Sequence, residues 1–529
     1  MIQRKTQEPS YWETFQPAPD DLEYLKNLLV EREMPLSTEE MARALVAFRC
    51  RKEEERIAHI LSGGSLYLPK NSYQIGDTVF FPSLDFVGGQ VVGIRDGRNP
   101  QLGPFRVIQV AFPEGRVREF AAELPVHKLN DVPQEDPGPA LSPEELYARY
   151  GESVQKALTA RLEAEPGFVS LVGQWFLKDL LVEIPTGQLN VAEAVLDEAG
   201  GGPLPADALI GYLDMPKEVN PQLALFSLNH ALFEDERFDE VGPAGQILWY
   251  LRRLEPAPIL DPPARLRPRQ VEYDHRLLDE TLLNLERWLG DEWSDMVAPP
   301  KAEEPVRVVL TYPHRRSGTL PLSPAVARVC PTGRTHRIRF IFRDEETGEE
   351  MPGWVVRERR FVYGLGEWYE RYDLPVGAYV EIRRAKEPGV VLIRRRPTRP
   401  KREWVRAVSV EDGVLRFEMG RHMISCEYDD LLVIAVTDPA ALDVAEERVR
   451  RERRSLADVV AEIFPELAKL SPQGTVHAAT LYSAVNLVMR VPPGPILTTL
   501  VTDDRYTFVG DYYWVSRCLL YTSPNPRDS

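Results

Sequence analysis

Residues 235–249 read DERFDEVGPAGQILW, residues 503–514 read DDRYTFVGDYYW, and these two stretches decide the fold. Each has Asp-x-Arg followed by an aromatic (Phe238 or Tyr506), then Val-Gly, a turn and a closing tryptophan (Trp249 or Trp514). Glycine allows the chain to reverse as a hairpin, and the aromatic and the tryptophan supply the apolar area that fastens such a hairpin to helices. An apolar helix precedes each stretch, LALFSLNHALFE at 223–234 and PILTTLVT at 495–502. Phe238, Trp249, Tyr506 and Trp514 are therefore read as packing residues and not as ligand contacts.

Working outward from the first stretch, NVAEAVLDEAG (190–200) and PADALIGYL (205–213) complete a three-helix pattern. Before them come a long amphipathic helix, EELYARYGESVQKALTARLEAE (144–165), and an apolar strand, FVSLVGQWFL (168–177). Nearer the N-terminus, residues 20–64 predict three short helices. Leu22, Tyr24, Leu25, Leu28 and Leu29 have helical spacing in the first, Ser37 with Glu40 forms a capping box for the second, and Gly63-Gly64 stops the third. From 73 to 120 the period shifts to short alternating strands between Gly, Pro, Asp and Asn turns, which predicts a small β-barrel, followed by a Pro- and acid-rich linker at 131–142. Residues 306–396 are again strand-rich, with VRVVLTY, THRIRFIFRD, WVVRERRFVYG, GAYVEIRRA and GVVLIRRR, and 404–437 add two or three more strands. A charged helix, AEERVRRERRSLADVVAEIF (445–464), leads into the last unit.

The order small helix, second helix, longer helix, Asp-x-Arg-aromatic, turn, Trp resembles the HARE-type helix-turn-helix family of winged helices. It covers 189–251 and 453–516 best and 19–68 more loosely, since the first copy lacks the Asp-x-Arg-aromatic wing. The resemblance implies association with nucleic acid or with transcription or restriction machinery. The strand rhythm of 73–130 resembles SH3-like barrels. SGTLPLSPAV (317–326) and GWVVRERRFVYGLGEWYERYDLPVGAYVEIRR (353–384) are similar to B3-like pseudobarrel DNA-binding domains. The expected fold class is multidomain α+β, with repeated winged-helix units plus small β-barrels, SH3-like and B3-like. The segments are a helix-turn-helix unit at 19–68, an SH3-like barrel at 73–130, a helical domain with the HARE-like winged helix at 143–256, and an amphipathic helix at 272–296. A basic B3-like barrel with added strands follows at 305–440, then a C-terminal winged helix at 453–516. The tail at 517–529, ending CLLYTSPNPRDS, resembles a translated library adapter and is set aside.

Composition narrows function. A chain of 529 residues predicts about three or four domains. No apolar run reaches the roughly 18 residues a bilayer requires, and the first residues lack signal-peptide order, so a cytoplasmic protein with no membrane partner is expected. The formal charge of −17 is unevenly spread: residues 301–410 hold 23 Lys and Arg against 14 Asp and Glu, a local +9 that leaves −26 elsewhere. Candidate nucleic-acid-binding residues are Arg357, Arg359, Arg360, Arg383, Arg384, Lys386, Arg394, Arg395, Arg396, Arg399, Lys401, Arg402 and Arg406, interleaved with Trp404. Long cationic arms suit phosphates, and each phosphate neutralised releases counterions. Strand alternation puts Arg394 and Arg396 on one face and Arg395 on the other, and Glu358, Glu381 and Glu403 are candidate neutralising partners. Candidate groove-reading side chains are Asn220, Gln222, Ser227, Asn229 and His230, with Arg51, Lys52, Arg56 and His59 in the first copy. The acidic wing (Glu234, Asp235, Glu236, Asp239, Glu240) would repel phosphate and suits a basic protein surface.

Catalytic signals are thin. Phosphate-loop, dinucleotide, serine-elbow and HExxH motifs are missing, and the four cysteines form no CxxC pair, so no cofactor, metal or enzyme activity is expected. His314 and His336 are read as surface or phosphate-adjacent. Asp429-Asp430 precedes an apolar strand where a nuclease acid could sit, but no matching Glu-x-Lys follows. The function expected is DNA binding, with a basic barrel gripping the backbone and winged helices adding contacts. The alternative is a protein–protein scaffold of the transcription or restriction machinery without direct DNA contact.

Overall fold

The structure, a computed structural model, describes residues 4–81, 84, 87–99, 102–130, 140–216, 218–294 and 305–517, without the side chains of 59–61. Beyond Arg517 the adapter-like tail lies outside the described residues, as do most of the 131–142 linker and the His59 side chain. Among the described residues the chain is mixed α/β, with sixteen α-helices and six sheets. It divides into two compact units, 1–184 with 215–230, and 185–214 with 231–529.

The first unit runs α1 (Pro9–Glu13), α2 (Pro19–Arg32), β1 (Leu36–Ser37), α3 (Thr38–Gly63), β2 (Ser65–Leu66), β3 (Thr78–Phe81), β4 (Val87–Asp96), β5 (Arg106–Ala111), β6 (Val117–Ala122), α4 (Pro143–Glu163), β7 (Phe168–Leu171) and β8 (Gln174–Leu177). The expected capping box forms: Ser37 Oγ accepts from Glu40 N at 3.1 Å, and Glu40 accepts from Ser37 N at 2.8 Å. The two further helices expected up to Gly64 are one. CRKEEER contains no glycine, proline or capping residue at which α3 could break. Strands β2 to β6 form a five-stranded sheet in sequence order around Tyr67, Tyr73, Val79, Phe81, Ile108 and Val110. The expected single strand at 168–177 is a hairpin. Val172 (φ 54°) and Gly173 (φ 71°) both take left-handed backbone, which the sequence marks only by one glycine.

After β8 the chain forms α5 (Thr186–Glu198), α6 (Ala206–Ile210), α7 (Pro221–Glu234), β9 (Phe238–Glu240), β10 (Trp249–Leu251), α8 (Ala257–Leu260), α9 (Glu280–Leu289) and β11 (Val306–Val309). The boundary between the units falls within α7. Next are α10 (Tyr312–Ser317), β12 (Thr319–Pro321), α11 (Pro324–Val329), β13 (Arg337–Asp344), β14 (Glu350–Val356), β15 (Phe361–Tyr363), α12 (Gly366–Arg371), β16 (Tyr379–Arg384) and β17 (Val390–Arg395). Then come β18 (Pro397–Glu411), β19 (Val414–Cys426), β20 (Ile434–Val436), α13 (Pro439–Arg451), α14 (Leu456–Ala468), β21 (Thr475–His477), α15 (Ala478–Val485), α16 (Pro493–Thr502), β22 (Tyr506–Gly510) and β23 (Tyr513–Ser516). Arg453 (φ 52°) and the Ser455 cap split the expected charged helix into α13 and α14.

A seven-stranded, barrel-like sheet of order β11-β16-β17-β13-β14-β15-β12 forms the centre of the second unit. The alternation of RIRFIFRD buries Ile338, Phe340 and Phe342 inside it, with Arg337, Arg339 and Arg343 outside. Beside it lies the three-stranded sheet β19-β18-β20, whose Val408, Leu415 and Phe417 share a core with α14, α15 and α16.

One order of elements occurs three times: helix, short strand, helix, helix, hairpin. The members are α2-β1-α3-α4-β7-β8, α5-Leu204-α6-α7-β9-β10, and α14-β21-α15-α16-β22-β23. In every copy an aliphatic residue of the first strand lies opposite a buried tryptophan of the last: Leu36 with Trp175, Leu204 with Trp249, Val476 with Trp514. In the first copy the five-stranded sheet is inserted between the second and third helices.

Candidate nucleic-acid interface

The thirteen cations picked out by sequence fall into three groups. Four meet carboxylates. Arg383 pairs with Glu345, Arg395 with Glu346 at 3.2 Å, Arg394 with Glu381 at 2.7 Å, and Arg396 with Glu381 at 3.2 Å and Glu427 at 2.8 Å. The alternation read from IRRR holds, since Arg394 and Arg396 share Glu381 while Arg395 turns to Glu346. Burial alone would raise the Glu381 carboxyl, but the Arg394 guanidinium, helped by Arg307 and Arg396, outweighs it and holds the group below its ordinary value.

A second group serves the backbone. Arg357 donates to the Gly333 carbonyl at 3.0 Å, Arg360 to the Glu292 carbonyl at 3.0 Å, Arg384 to that of Arg328, and Arg406 to that of Asp430. Burial lowers the Arg406 guanidinium, with Asp430 and Asp429 opposing. The remaining five, Arg359, Lys386, Arg399, Lys401 and Arg402, are exposed, and their side chains have no ion-pair or hydrogen-bond partner among the described residues.

Three of those five sit on the ribbon of β18 and β19. Its strands pair antiparallel from Lys401↔Ile424 to Glu411↔Val414, with an irregular register between Pro397 and Lys401 where two prolines interrupt the ladder. Residues directly opposite each other share a face. One face of the outer half therefore carries Arg402, Trp404 and Arg406 on β18 and Met423, Arg421 and Met419 on β19. The other carries Lys401, Glu403 and Val405 with Ile424, His422 and Gly420, and its Val405 and Ile424 are buried in the barrel core. Further along, the buried face switches, for Val408, Leu415 and Phe417 belong to the first face. The ribbon's twist thus leaves only the outer half of that face open.

This open face holds cations and apolar groups but no carboxylate. Trp404 is 58% exposed, Met423 56% and Met419 41%. The Arg421 guanidinium lies 5.0 Å from the centre of the Trp404 ring. Arg421 was missed by sequence reading, because nothing in RHMISC announces that it lies across from Trp404.

The other candidates are placed differently. His314 is 1% exposed, not at the surface: its Nε2 lies 3.3 Å from Glu292 and its Nδ1 2.8 Å from Thr319 Oγ1. Glu292 also pairs with Arg490 at 2.7 Å, and Arg490 with Asp291 at 2.8 Å, where Tyr482 donates at 2.6 Å. Burial would raise Glu292, but Arg490 and His314 bring it down to about 2. The cluster is sealed from solvent and ties α15 and the segment after α9 to the barrel. His336 is exposed, 3.4 Å from Glu358. Asp429 is buried and accepts from Tyr379 and from Leu431 and Leu432 N, so it organises a turn. Among the described residues no cluster of His, Cys, Asp or Glu is arranged to hold a metal.

The groove-reading candidates are mostly occupied. Ser227 and Asn229 are buried, with Ser227 Oγ accepting from Val182 N at 3.0 Å, and Asn220 accepts from Gln222 N. Arg51, Lys52 and Arg56 lie on α3, the second helix of its copy, and Lys52 pairs with Asp20. In the third copy Ile496, Leu497, Thr498 and Leu500 leave α16 no open face over most of its length. The acidic wing meets a basic surface of its own chain. Asp239 pairs with Arg337, Glu255 lies 3.1 Å from it, and Arg339 N donates to the Val241 carbonyl at 2.8 Å. Burial pushes the Glu255 carboxyl up to about 8, Arg337 opposing and Asp239 adding.

The chain matches no family model, no curated protein and no solved structure.

Proposed function

We propose that this protein binds nucleic acid, DNA in the first instance, as a non-catalytic component of transcription or restriction machinery. The observation that carries the reading is the open ribbon face, whose exposed Arg402 and Arg421 have no carboxylate partner among the described residues. Arg402 and Arg421 on that face, with Arg399 before the regular ladder begins and Lys401 on the other side of the same outer end, are free to meet phosphates, and guanidinium forks suit phosphate oxygens. Paired cations such as Arg394 and Arg396 are already satisfied and hold the barrel together.

In this reading the three repeated units are winged helices, and the five- and seven-stranded sheets are SH3-like and B3-like barrels. The support is the recurring helix–strand–helix–helix–hairpin order, with its first strand set against the last, and the seven-strand count of the central sheet. The second and third units act as a frame, since α16 is buried and the acidic wing is already paired with Arg337. A scaffold docking a basic partner through that wing has correspondingly less behind it.

The test is fluorescence anisotropy of a labelled random duplex with the full chain across a salt series. Four exposed cations at the ribbon's outer end predict a log–log slope of about −3 to −4. A flat response, or no binding at low salt, would overturn the reading.

A further inference from the structure

We infer that the ribbon's open face takes an unpaired base on Trp404, so that its preferred ligand is single-stranded nucleic acid. The inference rests on the nucleic-acid reading of the same site and adds to it the class of ligand.

Trp404 is the most exposed of the nine tryptophans; Trp12, Trp175, Trp249, Trp354, Trp368 and Trp514 are buried. An indole left in water on a two-stranded ribbon gives up the area it could bury, and among the described residues it stays 58% exposed. One ring face is taken by Arg421, and among the described residues no second ring or cation stacks on it. A base laid on the free side would complete a cation–indole–base stack.

The surroundings fit an unpaired strand better than a duplex. In a duplex the base faces are covered by their neighbours, so only phosphates and groove edges would reach the ribbon. Arg402 lies two residues from Trp404 on the same face, where it can hold a phosphate flanking the stacked base. Met423 and Met419 present soft, polarizable thioethers beside the ring, suited to contacting bases without reading their identity. Cations that track a backbone, interleaved with an aromatic platform, are the combination by which sequence-tolerant single-strand binding works.

The experiment compares the full chain's affinity for a labelled oligothymidylate and for a blunt hairpin duplex of equal phosphate count, using wild type, Trp404→Ala, Trp404→Phe and Arg402→Ala/Arg421→Ala. Wild type is expected to favour the oligothymidylate. Trp404→Ala should weaken that affinity by about 5- to 150-fold, the range for one lost base stack, and shrink the preference over duplex by a similar factor. Trp404→Phe should retain most of it, and the arginine pair should lower affinity for both ligands. Equal affinities with equal losses on Trp404→Ala would overturn base stacking and leave the phosphate grip standing. Absence of binding to either ligand at low salt would overturn both. Displacement of oligothymidylate by polyglutamate at equal charge would overturn the nucleic-acid assignment in favour of an acidic polypeptide.

Discussion

Trp249 has no solvent exposure, and it lies across from Leu204 while Phe238 pairs with Leu251 two residues on. Replacing it with alanine should cost about 3–5 kcal/mol, as for a large aromatic removed from a close-packed site. Trp404→Ala, at an open position, should stay within about 0.5 kcal/mol. Urea unfolding followed by far-UV circular dichroism measures both, and equal losses would contradict the division between packing and exposed tryptophans. The packing role of Trp249 and Trp514 was legible because the same order of residues occurs twice. Trp175 plays the same part but was hidden, since its hairpin opens on Gly-Phe instead of Asp-x-Arg. Which arginines stay free was legible only in part, through Glu381, an expected neutralising partner that pairs with Arg394 and Arg396. The other partners of the paired arginines, Glu345, Glu346 and Glu427, arrive from other strands or their connections, and strand register is a tertiary property that local spacing does not fix.

At the scale of elements, the ribbon's length comes from its alternating residues and its tight turn from Asp412-Gly413, with φ of 53° and 77°. An Asp-Gly turn of this kind matches the right-handed twist of its strands, and that twist leaves the outer face open. Periodicity gives the strands; which half of a face is buried depends on what packs behind it. α15 offers a separate check. Its cap is His477, whose Nδ1 accepts from Ala479 N at 3.1 Å. Burial lowers this histidine to about 4, opposed by Asp429 and reinforced by Arg406. The unfolded chain takes up a proton near pH 6.5 that the folded chain refuses, so the stability present above about pH 6.5 is lost as the pH falls toward 4. His477→Asn retains a capping acceptor and removes the ionisation. Thermal melts across this window should fall more steeply for wild type than for the variant, and parallel curves would contradict the assignment. The uninterrupted α3 illustrates a different limit: apolar spacing shows that a helix is present, but only a breaker residue shows where it stops.

At the scale of the whole molecule, the repeat was legible in two copies and obscured in the first. The five-stranded insertion carries α4 and the hairpin about a hundred residues beyond α2, so no continuous stretch repeats the pattern. The two recognised copies serve the barrel itself. Arg490, Asp291, Glu292 and His314 join the third to it in a sealed ionic cluster, and Asp239 and Glu255 join the second through Arg337. The ribbon's open face adds a place where positive charge without a carboxylate partner among the described residues meets solvent beside an exposed aromatic, in an otherwise acidic chain. The most direct test is the salt dependence of nucleic-acid binding for two triple variants of the full chain. Lys401→Ala/Arg402→Ala/Arg421→Ala should flatten the log–log slope by about 2 to 3, one phosphate contact per cation removed. Arg383→Ala/Arg394→Ala/Arg396→Ala, which removes cations already paired with Glu345 and Glu381, should leave the slope in place while lowering the melting temperature. If the second variant flattens the slope as much as the first, phosphate is held by the barrel's paired arginines and the ribbon is not the interface.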